Sequence, residues 1–117
     1  MKFFKQEEFD SPDKPGSGAK MKQHFLDMLI AAREKANIPF IITSGYRTRA
    51  HNRRVGGVNG SSHTKGVAVD LRCHDSKTRS IIITSAIAVG FNRIGISDRF
   101  IHLDADMQKV QDVIWTY

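Results

Sequence analysis

The first long pattern in the chain is helical. Apolar side chains recur three or four positions apart through the first third of the sequence, at Met21, Phe25, Met28, Leu29, Ala32 and Ala36. This spacing places them on one face of a helix, so we predict an amphipathic helix that ends at about Ala36. Asn37 is a suitable C-terminal cap, because asparagine tolerates the left-handed conformation that often closes a helix.

At residues 66–72, apolar side chains instead occupy every second position. Val67, Val69 and Leu71 share one face, and Asp70 falls on the opposite one. Period-two alternation is typical of a strand with one face against a core. We therefore predict a strand that points Asp70 away from the apolar layer.

The remaining pattern predicts several short strands and two further helices. Runs rich in β-branched and aromatic residues predict strands at residues 40–44, 91–96, 100–104 and 113–117. Asp75 or Ser76 can cap a second long helix that ends at Gly90, and residues 48–55 predict a brief polar helix. Helices followed by closely spaced strands favour an α+β fold with a small, mostly antiparallel sheet and two main helices.

Length and composition limit what this fold can be. The 117 residues, 40% of them hydrophobic, suffice for one core, so residues 1–117 are expected to form a single domain. Cys73 is the one cysteine, which excludes an internal disulfide. No stretch is long enough to span a membrane and charge interrupts the apolar N-terminus, so we expect a soluble protein made in the cytoplasm without a signal peptide.

The charge of the chain favours anionic partners. Eighteen Lys and Arg residues against twelve Asp and Glu residues give a net charge of +6. Such a charge suits nucleic acid, an anionic membrane surface or an acidic cell wall. The basic residues are scattered apart from one cluster, formed by Arg47, Arg49, Arg53 and Arg54. Because no nucleic-acid-binding signature accompanies them, we do not expect DNA or RNA as a partner.

Two histidines and a carboxylate carry the strongest chemical signal. His63 and Asp70 are separated by six residues, and His102 lies in the predicted strand at 100–104. Such a set can hold Zn²⁺ through three protein ligands and leave a fourth position for water, as hydrolytic zinc sites do. Taken alone, this spacing is weak, since a lone strand histidine is more often an ordinary polar residue.

The residues around these three resemble the M15 peptidases. The resemblance covers the chain from about Phe3 to Tyr117 and is carried by Ser44-Gly45-Tyr46-Arg47-Thr48, Asn52, Val55-Gly56-Gly57, Ser61, His63, Gly66, Ala68, Asp70, Gly95-Ile96 and Phe100-Ile101-His102-Leu103-Asp104. That family comprises zinc D-alanyl-D-alanine carboxypeptidases and related peptidases of bacterial cell walls and phage endolysins. The resemblance implies the hedgehog/D-Ala-D-Ala peptidase fold.

Roles for individual residues follow from this resemblance. It implies that His63, Asp70 and His102 are the zinc ligands. It also implies that Arg47 engages the carboxylate end of the substrate, as a planar guanidinium can through two parallel hydrogen bonds. Ser61 is expected to hydrogen-bond the substrate or a zinc ligand.

One position departs from the family. Better-known members carry a Glu or Asp three residues before the second zinc histidine as general base, and here that residue is Arg99. Arginine cannot accept a proton, so the base must be another residue or absent. Asp98 is the slightly favoured candidate for the base and Asp104 is the other, with orientation of His102 as the alternative role of Asp104.

The sequence therefore predicts a zinc-dependent peptidase, monomeric, that cleaves amide bonds in peptidoglycan stem peptides. It would act at the bacterial cell wall and could be phage-encoded. Two alternatives remain. One is a non-catalytic zinc-binding module of the same fold, suggested by Arg99. The other, weaker one is a basic nucleic-acid binder. The identity of the cleaved bond stays open.

Overall fold

A five-stranded sheet forms the centre of the fold in the computed structural model, which describes residues 1–117. The strands are β1 (Ile42–Ser44), β2 (Ala68–Arg72), β3 (Arg93–Ile96), β4 (Phe100–Asp104) and β5 (Val113–Thr116). The α-helices are α1 (Gln23–Ala36), α2 (Arg49–Arg54) and α3 (Ser76–Ala88). Three short 3-10 helices cover Gln6–Phe9, Ser17–Lys20 and Ser62–Lys65. The α+β class and both long helices are as predicted.

The helix ends lie where the capping residues predict them. Asn37 adopts a left-handed conformation with φ of 52° directly after α1. Asp75 precedes α3, and its side chain accepts a hydrogen bond from the Thr78 backbone at 2.8 Å. Thr48 caps α2 in the same way through the His51 backbone. No helix is long and apolar enough to cross a membrane.

The predicted mostly antiparallel sheet is wrong, because the sheet is mixed. Its strand order is β1-β2-β4-β3-β5, and β5 runs parallel to β3 at one edge. The β3–β4 hairpin brings the end of β4 beside the start of β3. A chain that then passes directly to the free edge of β3 must run in the same direction as β3.

The two faces of the sheet have opposite chemistry. Val69 pairs with Leu103, and Leu71 pairs with Ile101, across β2 and β4. All four are buried in one cluster of 18 hydrophobic side chains, to which α1 and α3 also contribute. The next pair along the same strands, Asp70 and His102, falls on the opposite face. The core therefore fixes the strands whose other face presents polar groups.

Candidate metal centre

Asp70, His102 and His63 meet on this polar face. Asp70 and His102 are direct partners across the antiparallel β2–β4 pair. His63 lies on the 3-10 helix Ser62–Lys65, which leads into β2. One nitrogen or oxygen atom from each side chain lies within 4.8 Å of the others, and all three residues are buried. The structure thus brings together the three residues that the sequence singles out.

The distances within the cluster suit a metal ion. Asp70 Oδ1 lies 3.0 Å from His102 Nδ1 and 3.3 Å from His63 Nε2. Ligands of tetrahedral zinc at about 2.0–2.2 Å from the ion lie about 3.3–3.6 Å from one another. Imidazole nitrogen and carboxylate oxygen are also the donors that zinc prefers. The group could therefore hold Zn²⁺ with little movement.

The outer nitrogen of each histidine is already engaged. His63 Nδ1 lies 2.8 Å from the Gly45 carbonyl oxygen, and His102 Nε2 lies 2.6 Å from Asp104 Oδ2. The inner nitrogen of each ring faces Asp70 Oδ1, and a metal bound there would take the place of a proton, while the outer nitrogen keeps its proton and donates it to the carbonyl or carboxylate oxygen. The other nitrogen of each ring then offers its lone pair to the cluster. This is how proteins orient metal-binding histidines.

A close backbone approach positions the carbonyl that holds His63. A Cβ atom at Gly45 would lie 2.7 Å from Cα and 2.9 Å from the carbonyl oxygen of Phe9. The next residue, Tyr46, donates its backbone N–H to that same Phe9 oxygen at 2.9 Å. Glycine is therefore required at position 45 by space, and this contact anchors the segment that leads to Arg47.

Asp104 is held in place by two further donors. Arg93 Nε donates to Asp104 Oδ1 at 2.7 Å, and the Asp106 backbone donates to the same oxygen at 3.0 Å. Arg93 also lies over the Trp115 ring, 5.0 Å from its centroid, and is buried. Asp104 is 1% exposed, so both of its oxygens face protein partners. This arrangement orients His102 rather than presenting a carboxylate to a substrate.

Charge and burial shift the pKa values of the cluster in opposite directions. Burial alone would raise the pKa of Asp70, but hydrogen bonds with His102 and His63 outweigh it and hold that pKa well below its ordinary value. Burial alone would lower the pKa of His102, yet Asp104 and Asp70 raise it. Asp70 is therefore ionised at neutral pH, which favours a cation beside it.

Arg47 lies beside the cluster, with a side chain that is 16% exposed. Its Nη2 lies 3.5 Å from Asp70 Oδ2, Nε donates to Ser44 Oγ at 3.1 Å and Nη1 donates to Asn52 Oδ1 at 3.2 Å. An arginine has five N–H donors, so two remain for a ligand. The guanidinium is thus fixed in the site and is not an exposed surface charge.

Ser61 supports the short helix that carries His63. Its Oγ accepts a hydrogen bond from the His63 backbone at 3.3 Å, as the N-terminal cap of that helix. Ser61 is buried and lines the same cavity as His63. Its observed contact therefore positions a candidate ligand.

Asp98 is not brought to the cluster. It is exposed in the turn between β3 and β4, and its side chain is hydrogen-bonded to Ser97 Oγ at 3.2 Å. Asp98 is absent from the residues that line the cavity, as is its neighbour Arg99. The structure gives no geometric support to Asp98 as a base.

A cavity of about 500 Å³ opens onto the cluster and contains residues that the sequence did not single out. They include Arg93 and Lys109, together with Trp115 and Tyr117. Trp115 is half-buried and Tyr117 is 69% exposed. Alternation along β3 places Arg93 on the same face as Gly95, and Gly95 pairs with His102. The sequence alone does not give this pairing, so it could not place Arg93 beside the cluster.

Comparison with known proteins agrees with this geometry. The family described as Peptidase M15 matches the chain over residues 4–104, which include the whole cluster. A search of curated proteins gives no match.

Proposed function

The chain belongs to the Peptidase M15 family, and we propose that it is a zinc-dependent peptidase that hydrolyses amide bonds in peptidoglycan stem peptides. The family is zinc-dependent, and the chain carries a group that could hold the metal. The single observation that carries the proposal is the buried His63, Asp70 and His102 cluster with both outer imidazole nitrogens already bonded.

In the proposed site, His63 and His102 would hold the ion together with Asp70, through the imidazole nitrogens that face that carboxylate. Zn²⁺ supplies two things in such a site, activation of water and polarisation of the scissile carbonyl. Gly45 and Asp104 keep the two rings oriented, so little conformational entropy remains to be lost when the metal binds.

Arg47 is proposed to bind a carboxylate of the substrate. Its guanidinium lines the cavity beside Asp70 and retains two N–H donors. The bonds to Ser44 and Asn52 fix the plane of the guanidinium before substrate arrives, so binding loses less side-chain entropy. Ser61 is proposed to act through the helix that carries His63.

Asp104 is proposed as a positioning residue for His102. Its Oδ2 bonds His102 and its Oδ1 accepts from Arg93 and from the Asp106 backbone, which leaves no unpaired oxygen toward the cavity. The exposed turn position of Asp98 makes it the weaker candidate for any role at the site.

Residues 1–117 are proposed to act as one peptidase domain at the bacterial cell wall, as a monomer. The net charge of +6 supports this location, because a cationic protein is attracted to an anionic polymer network. The attraction is independent of the site and should weaken with added salt.

Digestion of purified sacculi tests the proposal. The zinc-loaded protein is incubated with sacculi, and released peptides are identified by mass. We expect fragments from stem-peptide cleavage, their loss on addition of a chelator and their return on addition of zinc. Absence of any released peptide from the zinc-loaded protein would contradict the proposal.

One observation favours a second candidate, a non-catalytic zinc-binding module. The only carboxylates that line the cavity are Asp70 and Asp104, and both are paired. A proton released during attack on an amide therefore has no free carboxylate to accept it. Stoichiometric zinc without turnover of any stem peptide would support this module.

A further inference from the structure

A second cavity, next to the candidate metal centre, has the character of an anion site. We propose that it binds a second carboxylate of the substrate peptide, apart from the one assigned to Arg47. The identity of that peptide rests on the proposed function, whereas the anion-binding character of the cavity does not.

The cavity has a volume of about 630 Å³ and a lining without any hydrophobic residue. It contains three cationic side chains, Arg49, Arg53 and Lys65, and no carboxylate. The other lining residues offer amide, hydroxyl or backbone groups, including Asn59 and Gly60. Such a lining suits a small oxyanion better than an apolar ligand.

Two of the cations are not neutralised by the protein. Arg49 and Arg53 lie one turn apart on α2, and none of the ion pairs in the structure involves either of them. Lys65 differs, because its Nζ lies 2.9 Å from Asp106 Oδ2. The unneutralised charge of the cavity therefore comes from two guanidinium groups, which can bind a carboxylate through paired hydrogen bonds.

The cavity is joined to the metal centre by shared residues. Gly57 lines both cavities, and a Cβ atom there would lie 2.0 Å from Asn52 Oδ1 and 3.1 Å from Arg47 Nη1. Asn52 lies between Arg49 and Arg53 in the sequence of α2 and accepts the hydrogen bond from Arg47. Lys65 is on the same short helix as His63. Gly57 and the Arg47–Asn52 hydrogen bond therefore lie at the boundary between the two cavities, and a peptide bound at the metal centre would reach the second cavity across this boundary.

The position of the second cavity beside the metal centre favours a carboxylate of the same peptide over an unrelated anion. A ligand that spans both cavities places one acidic group at Arg47 and another near Arg49 and Arg53. A stem peptide with a free carboxylate within the chain, besides the one at its end, meets this requirement. The α-carboxylate of its γ-linked D-glutamate is such a group.

Calorimetric binding of two synthetic peptides tests the proposal. One is L-Ala-γ-D-Glu-L-Lys-D-Ala-D-Ala with the free glutamate α-carboxylate, and the other carries the amide at that position. The metal-free protein, which the account predicts does not hydrolyse either peptide, should bind the acid about tenfold more tightly than the amide, as expected for one charge-assisted contact. Arg53→Gln should remove most of this difference and leave the affinity for the amide unchanged.

Arg54→Gln is the matched control. Arg54 is the next residue of α2, carries the same charge and is exposed, as Arg53 is, but it does not line the cavity. The preference for the acid should persist in Arg54→Gln. The proposal is overturned if Arg53→Gln keeps the preference, if Arg54→Gln loses it equally, or if neither peptide binds. Tight binding of inorganic phosphate without discrimination between the peptides also overturns it.

Turnover of the same peptides separates this proposal from the proposed function. Binding with the predicted pattern but no cleavage would leave the second carboxylate site standing and reject hydrolysis. Cleavage of acid and amide with equal efficiency and equal affinity would reject the second site and leave hydrolysis standing.

Discussion

His102 on β4 pairs directly with Asp70 on the neighbouring strand β2, and its Nδ1 is 3.0 Å from Asp70 Oδ1. The opposite nitrogen of the same ring is 2.6 Å from Asp104. One imidazole is therefore held between two carboxylates, one of which faces His63 and one of which faces Arg93. The first carboxylate belongs to the candidate metal centre, and the second determines how the ring is oriented.

Zinc binding should depend on both histidines. We predict close to one equivalent of zinc in the purified protein and loss of tight binding in His63→Ala and in His102→Ala, because each removes one of three donors. His74→Ala, at an exposed position, is the control and should keep the metal. Metal analysis after dialysis measures this, and full stoichiometry in both site variants would show that the ligands are misassigned.

Replacement of Asp104 should affect the metal, whereas replacement of Asp98 should not. Asp104→Asn removes the carboxylate that orients His102, and we expect zinc affinity to fall roughly 10- to 100-fold. The same change at the exposed Asp98 should leave both zinc affinity and turnover near those of the wild type. Competition with a chelating dye measures affinity. A 10²–10⁴-fold loss of turnover in Asp98→Asn would instead identify it as the base.

Arg47 should matter for substrate and little for metal. Arg47→Ala removes a charge-assisted contact worth about 1.5–3 kcal/mol, so kcat/KM on a stem peptide should fall roughly 10- to 150-fold while zinc content stays unchanged. Arg72→Ala removes an equal charge at the exposed end of β2 and should behave like the wild type. Unchanged turnover in Arg47→Ala would contradict its proposed role.

Zinc affinity should fall in acid because protons compete for His102. Asp104 and Asp70 raise the pKa of His102 despite burial, so the protonated ring persists to a higher pH than in an ordinary histidine. Below that raised pKa one proton must leave for each zinc bound, and affinity should fall about tenfold per pH unit. Above the raised pKa, protonation of His102 should no longer affect zinc affinity.

Chelator competition between about pH 5 and 9 measures this dependence. Asp104→Asn removes one of the two carboxylates that raise the His102 pKa. In this variant, the pH above which zinc affinity no longer rises should therefore be lower than in the wild type. An identical pH profile in that variant would contradict the coupling between Asp104 and His102.

Local patterns predicted the helices, and the resemblance to the M15 peptidases supplied the candidate ligands. What could not be predicted depends on contacts between residues far apart in the sequence. The apolar spacing before Asn37 and the cap at Asp75 are local features, and α1 ends and α3 begins where expected. The position of β5 depends on which edge it reaches, so its parallel pairing with β3 has no local signal.

The candidate base shows the same limit. Strand alternation places Asp104 on the face of His102 but does not say that Arg93 and the Asp106 backbone occupy its other oxygen. The turn at Asp98 was predicted, yet the direction of that turn, away from the cavity, depends on tertiary structure. The position of Trp115 beside Arg93 in the cavity likewise depends on the pairing of β5 with β3, which has no local signal.

Titration of the metal-free protein with zinc tests the central claim most directly. Stem-peptide hydrolysis is measured after each addition, alongside the His102→Ala variant. The account predicts no hydrolysis without metal, a linear rise that saturates at one equivalent, and no hydrolysis by His102→Ala at any addition within that range. Hydrolysis by the metal-free protein, or none by the fully zinc-loaded wild type, would contradict it.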